Sequence, residues 1–168
     1  MKWILLALIL LAVPTVTIWL KANPRGAPLV WGMLGFLPFV LGPWHLYVAP
    51  YSTAMWPGYV KGWEISLLDA IAVAVLIATH DRRHKKVLII PFLAYIFATL
   101  IAVYQADFGK LAFSYVIQLL RVFLLFLAVS RVVVSERGEK AVITGLVLGL
   151  AVQAGYAIVA RAGGALQT

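Results

Sequence analysis

LAFSYVIQLLRVFLLFLAVSRVVV, residues 111–134, decides the fold class. A helix rises about 1.5 Å per residue, so about 20 apolar residues cross roughly 30 Å of hydrocarbon. A membrane-crossing strand would alternate apolar and polar residues, and this run is almost apolar all round. Five further stretches read the same way: Trp3–Leu20, Leu29–Val48, Ile65–Thr79, Val87–Tyr104 and Ala141–Ala160. The third is short, and Gly62-Trp63-Glu64 can extend it at the interface, where Trp anchors well. The first lacks a small-residue cleavage pattern and is flanked by Lys21 and Arg25, as expected of a retained anchor.

Composition agrees. Of 168 residues, 64% are apolar and 12% charged, and mean hydropathy is +0.99. A soluble domain is nearer half apolar and a quarter charged. The absence of cysteine excludes disulfides, thiolate metal sites and cysteine nucleophiles. The expectation is an all-α, polytopic integral membrane bundle of about six transmembrane helices, residues 1–168 forming a single transmembrane domain, with no strands.

The formal net charge of +8 comes from short segments between the apolar runs. That placement suits membrane orientation better than nucleic-acid binding, and no nucleic acid is expected as a partner. Lys21, Arg25, Arg82, Arg83, Lys85, Lys86, Arg131, Arg137 and Lys140 fall in the odd loops; Lys2, Lys61, Lys110 and Arg161 fall on the other side. The positive-inside bias puts the odd loops in the cytoplasm and both termini outside. The loop His80–Lys86 reads as a topogenic, lipid-headgroup segment, and its cations oppose a metal at His80 and His84.

The longest extracytoplasmic segment, APYSTAMWPGYVKGWE (residues 49–64), carries Tyr51, Trp56, Tyr59 and Trp63, with Trp44, His45 and Tyr47 just before it. Pro50, Pro57 and Gly58 prevent a regular helix through it. Its aromatics form either a headgroup belt, which is favoured, or a sugar-stacking platform with Lys61 near a pyrophosphate. His45 is a minor candidate for a general base.

Arg121 is the most informative residue. It lies ten residues from the outer end of its run, about 15 Å deep, where a guanidinium must face protein or water. Ser114, Gln118 and Arg121 fall on one helical stripe. Asp69, about a turn and a half inside the third run, is the expected counter-ion. Two readings stay open: a structural Arg121–Asp69 ion pair, and an anion site for a lipid-linked phosphate lined by Arg121, Gln118, Ser114 and Lys61.

Gly145 and Gly149 form a small-xxx-small face with Gln153, read as packing within the chain in preference to a dimer interface. Pro14, Pro38, Pro43 and Pro91 lie inside the runs and hint at a cavity. The chain has no phosphate-binding Gly-rich loop with Lys, no His-Glu-x-x-His and no Gly-x-Ser-x-Gly, and Glu64, Asp69 and Asp107 are scattered. No metal site, cofactor or catalytic residue is assigned.

The stretch WPGYVKGWEISLLD (residues 56–69), with LGPWHLYVAP (41–50) before it, Arg121, and GLVLGLAVQAGYAIVARAGGALQT (145–168), resembles the N-terminal half of the O-antigen ligase/polymerase family of bacterial polysaccharide membrane proteins. The resemblance implies a multi-pass protein of the bacterial inner membrane that works in lipopolysaccharide and polysaccharide biosynthesis. It implies transfer of glycan from undecaprenyl pyrophosphate at the extracytoplasmic face, without metal or nucleotide sugar. In such enzymes cations hold the departing pyrophosphate, because negative charge collects there. The family's main catalytic Arg and His residues lie in a second half that this sequence does not contain, so the chain reads as a fragment, inactive alone, whose partner is a C-terminal half. The alternatives are a non-catalytic membrane scaffold beside another membrane protein, or a small transporter, the latter disfavoured by the lack of an internal repeat.

Overall fold

The computed structural model describes residues 2–42, 44–52, 62–79, 89–106 and 109–162. The expectations placed on Pro43, on 53–61 with Lys61, on the loop 80–88, on Asp107 and on 163–168 lie outside them. Six helices and a two-stranded hairpin follow in the order α1 (Lys2–Ala22), α2 (Ala27–Val40), β1 (Tyr47–Ser52), β2 (Gly62–Ser66), α3 (Leu67–Ala78), α4 (Ile89–Tyr104), α5 (Gly109–Val132) and α6 (Glu136–Ala162). Among the described residues, three segments are long and apolar enough to cross a membrane: Lys2–Ala22, Ala112–Val132 and Glu136–Arg161. The helices α2, α3 and α4 are shorter, at 14, 12 and 16 residues.

The hairpin corrects two expectations at once. The run 29–48 does not stay helical to Val48; its helix ends at Val40. Gly62-Trp63-Glu64 does not extend α3 but forms β2, antiparallel to β1, with Tyr47 opposite Ser66 and Ser52 opposite Gly62. Pro50 sits where the register shifts between Val48 and Tyr51, the irregular position at which a strand tolerates proline. The residues that looked like helix ends carry an alternation, Tyr47, Ala49 and Tyr51 against Val48, that suits a pleated ribbon. At 14 and 12 residues, α2 and α3 reach only about 21 and 18 Å. The hairpin lies at one end of the bundle, where Val48 and Ser66 are buried.

Packing shows a consistent direction for five of the six helices. Ile9 near the start of α1 clusters with Val48 and Ala70, so α1 and α3 begin at the hairpin end. Arg121 of α5 meets the first turn of α3, and Arg131 lower on α5 donates to the Leu76 carbonyl at the last turn, so α5 runs parallel to α3. Gly32 of α2 faces Ala141 and Gly145 of α6, while Phe36 and Phe39 face Gly149, so α2 and α6 run together the other way. The main buried cluster joins α2, α3 and α5 through Val30, Leu34, Leu37, Ile71, Val75, Ala128 and Val132.

Two local corrections follow. Arg131 is not a loop cation: it lies inside α5, half buried, and its Nη1 donates at 2.8 Å to a carbonyl that α3 leaves unpaired at its C-terminus. Pro91 falls in the first turn of α4, where a missing N–H costs nothing, while Pro14 and Pro38 do lie within their helices. The small-residue face of α6 is spent within the chain. A Cβ on Gly145 would collide with the Gly32 carbonyl, and one on Gly149 would come within 2.6 Å of the Phe39 ring. The fourth helix is peripheral, held to α5 by Phe92 stacked on Phe123 at 4.7 Å and on Phe126 at 6.0 Å.

Candidate functional site

The polar centre of the molecule starts from a helix cap. Ser66 ends β2 in extended backbone, and its Oγ accepts from the Asp69 amide at 3.4 Å. Asp69 returns the contact, its Oδ2 accepting from the Ser66 amide and hydroxyl, both at 2.7 Å. This reciprocal pairing satisfies the first orphan N–H groups of α3 and places a carboxylate at the positive end of that helix. Asp69 therefore sits in the first turn of α3, not a turn and a half inside it. The run 65–79 opens with two strand residues, Ile65 and Ser66.

Arg121 docks on this cap from α5. Its Nε reaches Asp69 Oδ2 at 3.0 Å and Oδ1 at 3.2 Å, and its Nη2 donates to Ser66 Oγ at 3.2 Å. Its Nη1 donates to Gln118 Oε1 at 2.7 Å and to Glu64 Oε2 at 3.4 Å. The expected Arg121–Asp69 pair is thus formed, with Gln118 beside it, and the structure adds Glu64 and Ser66. Glu64 and Asp69, distant in expectation, meet on one guanidinium. The signal for Ser66 was legible: Ser-x-x-Asp ahead of an apolar run marks a helix start.

Burial grades the partners. The Arg121 and Asp69 side chains are 18% and 17% exposed, that of Glu64 41%. Asp69 is the fixed counter-ion and Glu64 the loosely held one. One Nη2 N–H of Arg121 is left without an acceptor among the described residues. Two carboxylates facing one guanidinium give the centre an excess of negative charge. Ser114 lies two helical turns from Arg121 on the same stripe, but the structure does not bring it into the network: it is buried at 2% exposure and its Oγ has no hydrogen-bond partner among the described residues. Lys61, next in sequence to β2, is outside the described residues.

Aromatic rings flank the centre. Trp63 packs edge-on to Phe113 of α5 at 6.3 Å and tilted against Tyr51 at 6.0 Å. Trp44, Tyr47, Tyr51 and Trp63 are all substantially exposed at this end. His45 is held at φ 51, the left-handed region that few non-glycine residues enter, and lines an apolar cleft with Lys2 and Tyr47 that none of the side chains bound to Arg121 lines.

No family model matches this chain, and neither a curated protein nor a solved structure matches it.

Proposed function

We propose that the chain is a multi-pass protein of the bacterial inner membrane and part of a glycan transferase of the O-antigen ligase/polymerase type. The observation that carries this reading is the convergence of Glu64, Ser66 and Asp69, all from the stretch that bears the family resemblance, on the guanidinium of Arg121. Membrane residence is supported by the three long apolar segments, by the exposed Trp3, Ile18, Ile158 and Val159 on their flanks, and by α1, α3 and α5 running opposite to α2 and α6. The cations Arg25, Arg131, Arg137 and Lys140 belong to the end opposite the hairpin, which the positive-inside rule assigns to the cytoplasm.

In the proposed reaction the acceptor hydroxyl oxygen bonds to the anomeric carbon while the bond from that carbon to the pyrophosphate oxygen breaks. The hydroxyl proton passes to a base that the described residues do not supply. Undecaprenyl pyrophosphate leaves with added negative charge. Arg121 receives one of its oxygens through the Nη2 N–H that has no acceptor among the described residues, with Glu64 yielding Nη1. Fixed cations at the developing charge lower the barrier because they need no reorganisation.

The test is binding of undecaprenyl pyrophosphate against undecaprenol by the purified full chain in nanodiscs, with and without a co-expressed C-terminal half. The expected result is a preference for the pyrophosphate that Glu64→Gln strengthens severalfold, because a competing carboxylate is removed, and that Arg121→Gln abolishes. Equal binding of both lipids under both conditions removes the transferase reading.

A second reading, a non-catalytic membrane scaffold, is favoured by one specific feature. Arg121's N–H groups are nearly all taken up internally, as in a packing clamp. Crosslinking that recovers one constant membrane-protein partner, together with no pyrophosphate preference, is the outcome that selects it.

A further inference from the structure

At the end of the bundle away from the hairpin, α2 and α6 leave a groove of about 560 Å³ walled by Gly32, Phe36, Gly145 and Leu148, with Arg137 and Lys140 at its mouth. We infer that this groove binds an anionic phospholipid of the cytoplasmic leaflet, the phosphate at Arg137 and Lys140 and the upper acyl chain along the glycine-floored wall. The inference rests on the membrane reading above but not on the transferase reading.

The groove exists because glycines face each other where the helices meet. A side chain at Gly145 would push α2 and α6 apart, one at Gly32 would already crowd the Ala141 carbonyl at 3.2 Å, and without them the neighbouring Leu29, Met33 and Leu148 stand exposed as apolar banks. No carboxylate lines it. Arg137 has no ion-pair or hydrogen-bond partner among the described residues. Lys140 is held by Glu136 at 2.7 Å, but both side chains are about three-quarters exposed, at 74% and 80%. An exposed pair of this kind is worth little, so a phosphate oxygen can replace the carboxylate. An apolar trough ending in two cations at the headgroup level of a bilayer matches the two-part chemistry of a negatively charged lipid. A zwitterionic lipid would bring its own cation to the same mouth.

The experiment is native mass spectrometry of the purified full chain with dioleoyl phosphatidylglycerol or dioleoyl phosphatidylcholine. The expected result is preferential retention of phosphatidylglycerol, at about fivefold per cation. The double variant Arg137→Gln/Lys140→Gln loses that preference. Thr144→Phe, which fills the groove and leaves both cations in place, also loses it. Circular dichroism confirms that both variants stay helical. A preference that survives the double variant overturns the proposal. So does one untouched by Thr144→Phe, which would mean attraction to the protein surface alone. Displacement of the lipid by an equal concentration of soluble glycerol phosphate overturns it in favour of a free-phosphate site. A dimer that Thr144→Phe converts to monomer overturns it in favour of a second copy. Failure of the membrane reading is read separately, as release of the chain from bilayers by alkaline carbonate.

Discussion

Asp69 serves two masters at once: it caps α3 and it neutralises Arg121. Replacing it by alanine removes both, and leaves a poorly solvated guanidinium behind. The expected loss is about 3 kcal/mol, within the range for stripping one partner from a buried pair, measured as the drop in unfolding free energy in detergent. Glu64→Gln, at a longer and more exposed contact, is expected to change stability by less than about 1 kcal/mol. The double role also rules out a charge swap as a diagnostic, since an arginine at position 69 would face the positive end of α3 and lose the cap. Ser114 offers a separate test. Its hydroxyl is buried without a partner among the described residues, a situation that costs about 1–3 kcal/mol. Ser114→Ala is therefore expected to leave stability unchanged or raise it. The Arg121–Asp69 pair was legible in the sequence because a charge in an apolar run demands an opposite one. Glu64 was not, because its part in the site depends on a strand that the hydrophobic run concealed.

Small residues set the geometry of the elements. Gly145→Ala is expected to weaken the α2–α6 contact by about 2 kcal/mol, the scale of overpacking against a backbone that cannot move aside. Gly155→Ala, farther along the same helix with open space around it, is the matched control and is expected to be neutral or slightly stabilising. Thermal unfolding followed by circular dichroism separates the two. Six apolar runs were legible as six helices because stretches of 15 to 24 residues with so few charges and no strand-like alternation admit little else. The hairpin was not, because Tyr, Val, Ile and Trp suit a membrane helix end and a strand equally, and only the pairing of 47–52 with 62–66 decides between them. The Ser66 cap carried the one local clue that α3 begins at Leu67.

At the scale of the whole molecule, the alternating helix directions predict sidedness, and a chain without cysteine is suited to measure it. Single cysteines at Lys2 and Arg161 should react with an impermeant maleimide from outside intact cells, and those at Asn23 and Glu139 only after the membrane is opened. The reverse pattern would invert every assignment of inside and outside made above. Orientation is an expectation that rests on loop charge alone, and this labelling decides it. The neighbour order was not legible, because nothing in a hydropathy profile tells α2 that its companion is α6. That companionship bears on biogenesis. The backbone furrow on α2, floored by Gly32 and Gly35, emerges from the ribosome about a hundred residues before the helix that closes it. On the membrane reading proposed above, it must be shielded by lipid or by an insertion chaperone throughout translation of the intervening helices, so a nascent chain stalled short of α6 should be degraded faster than one stalled just after it.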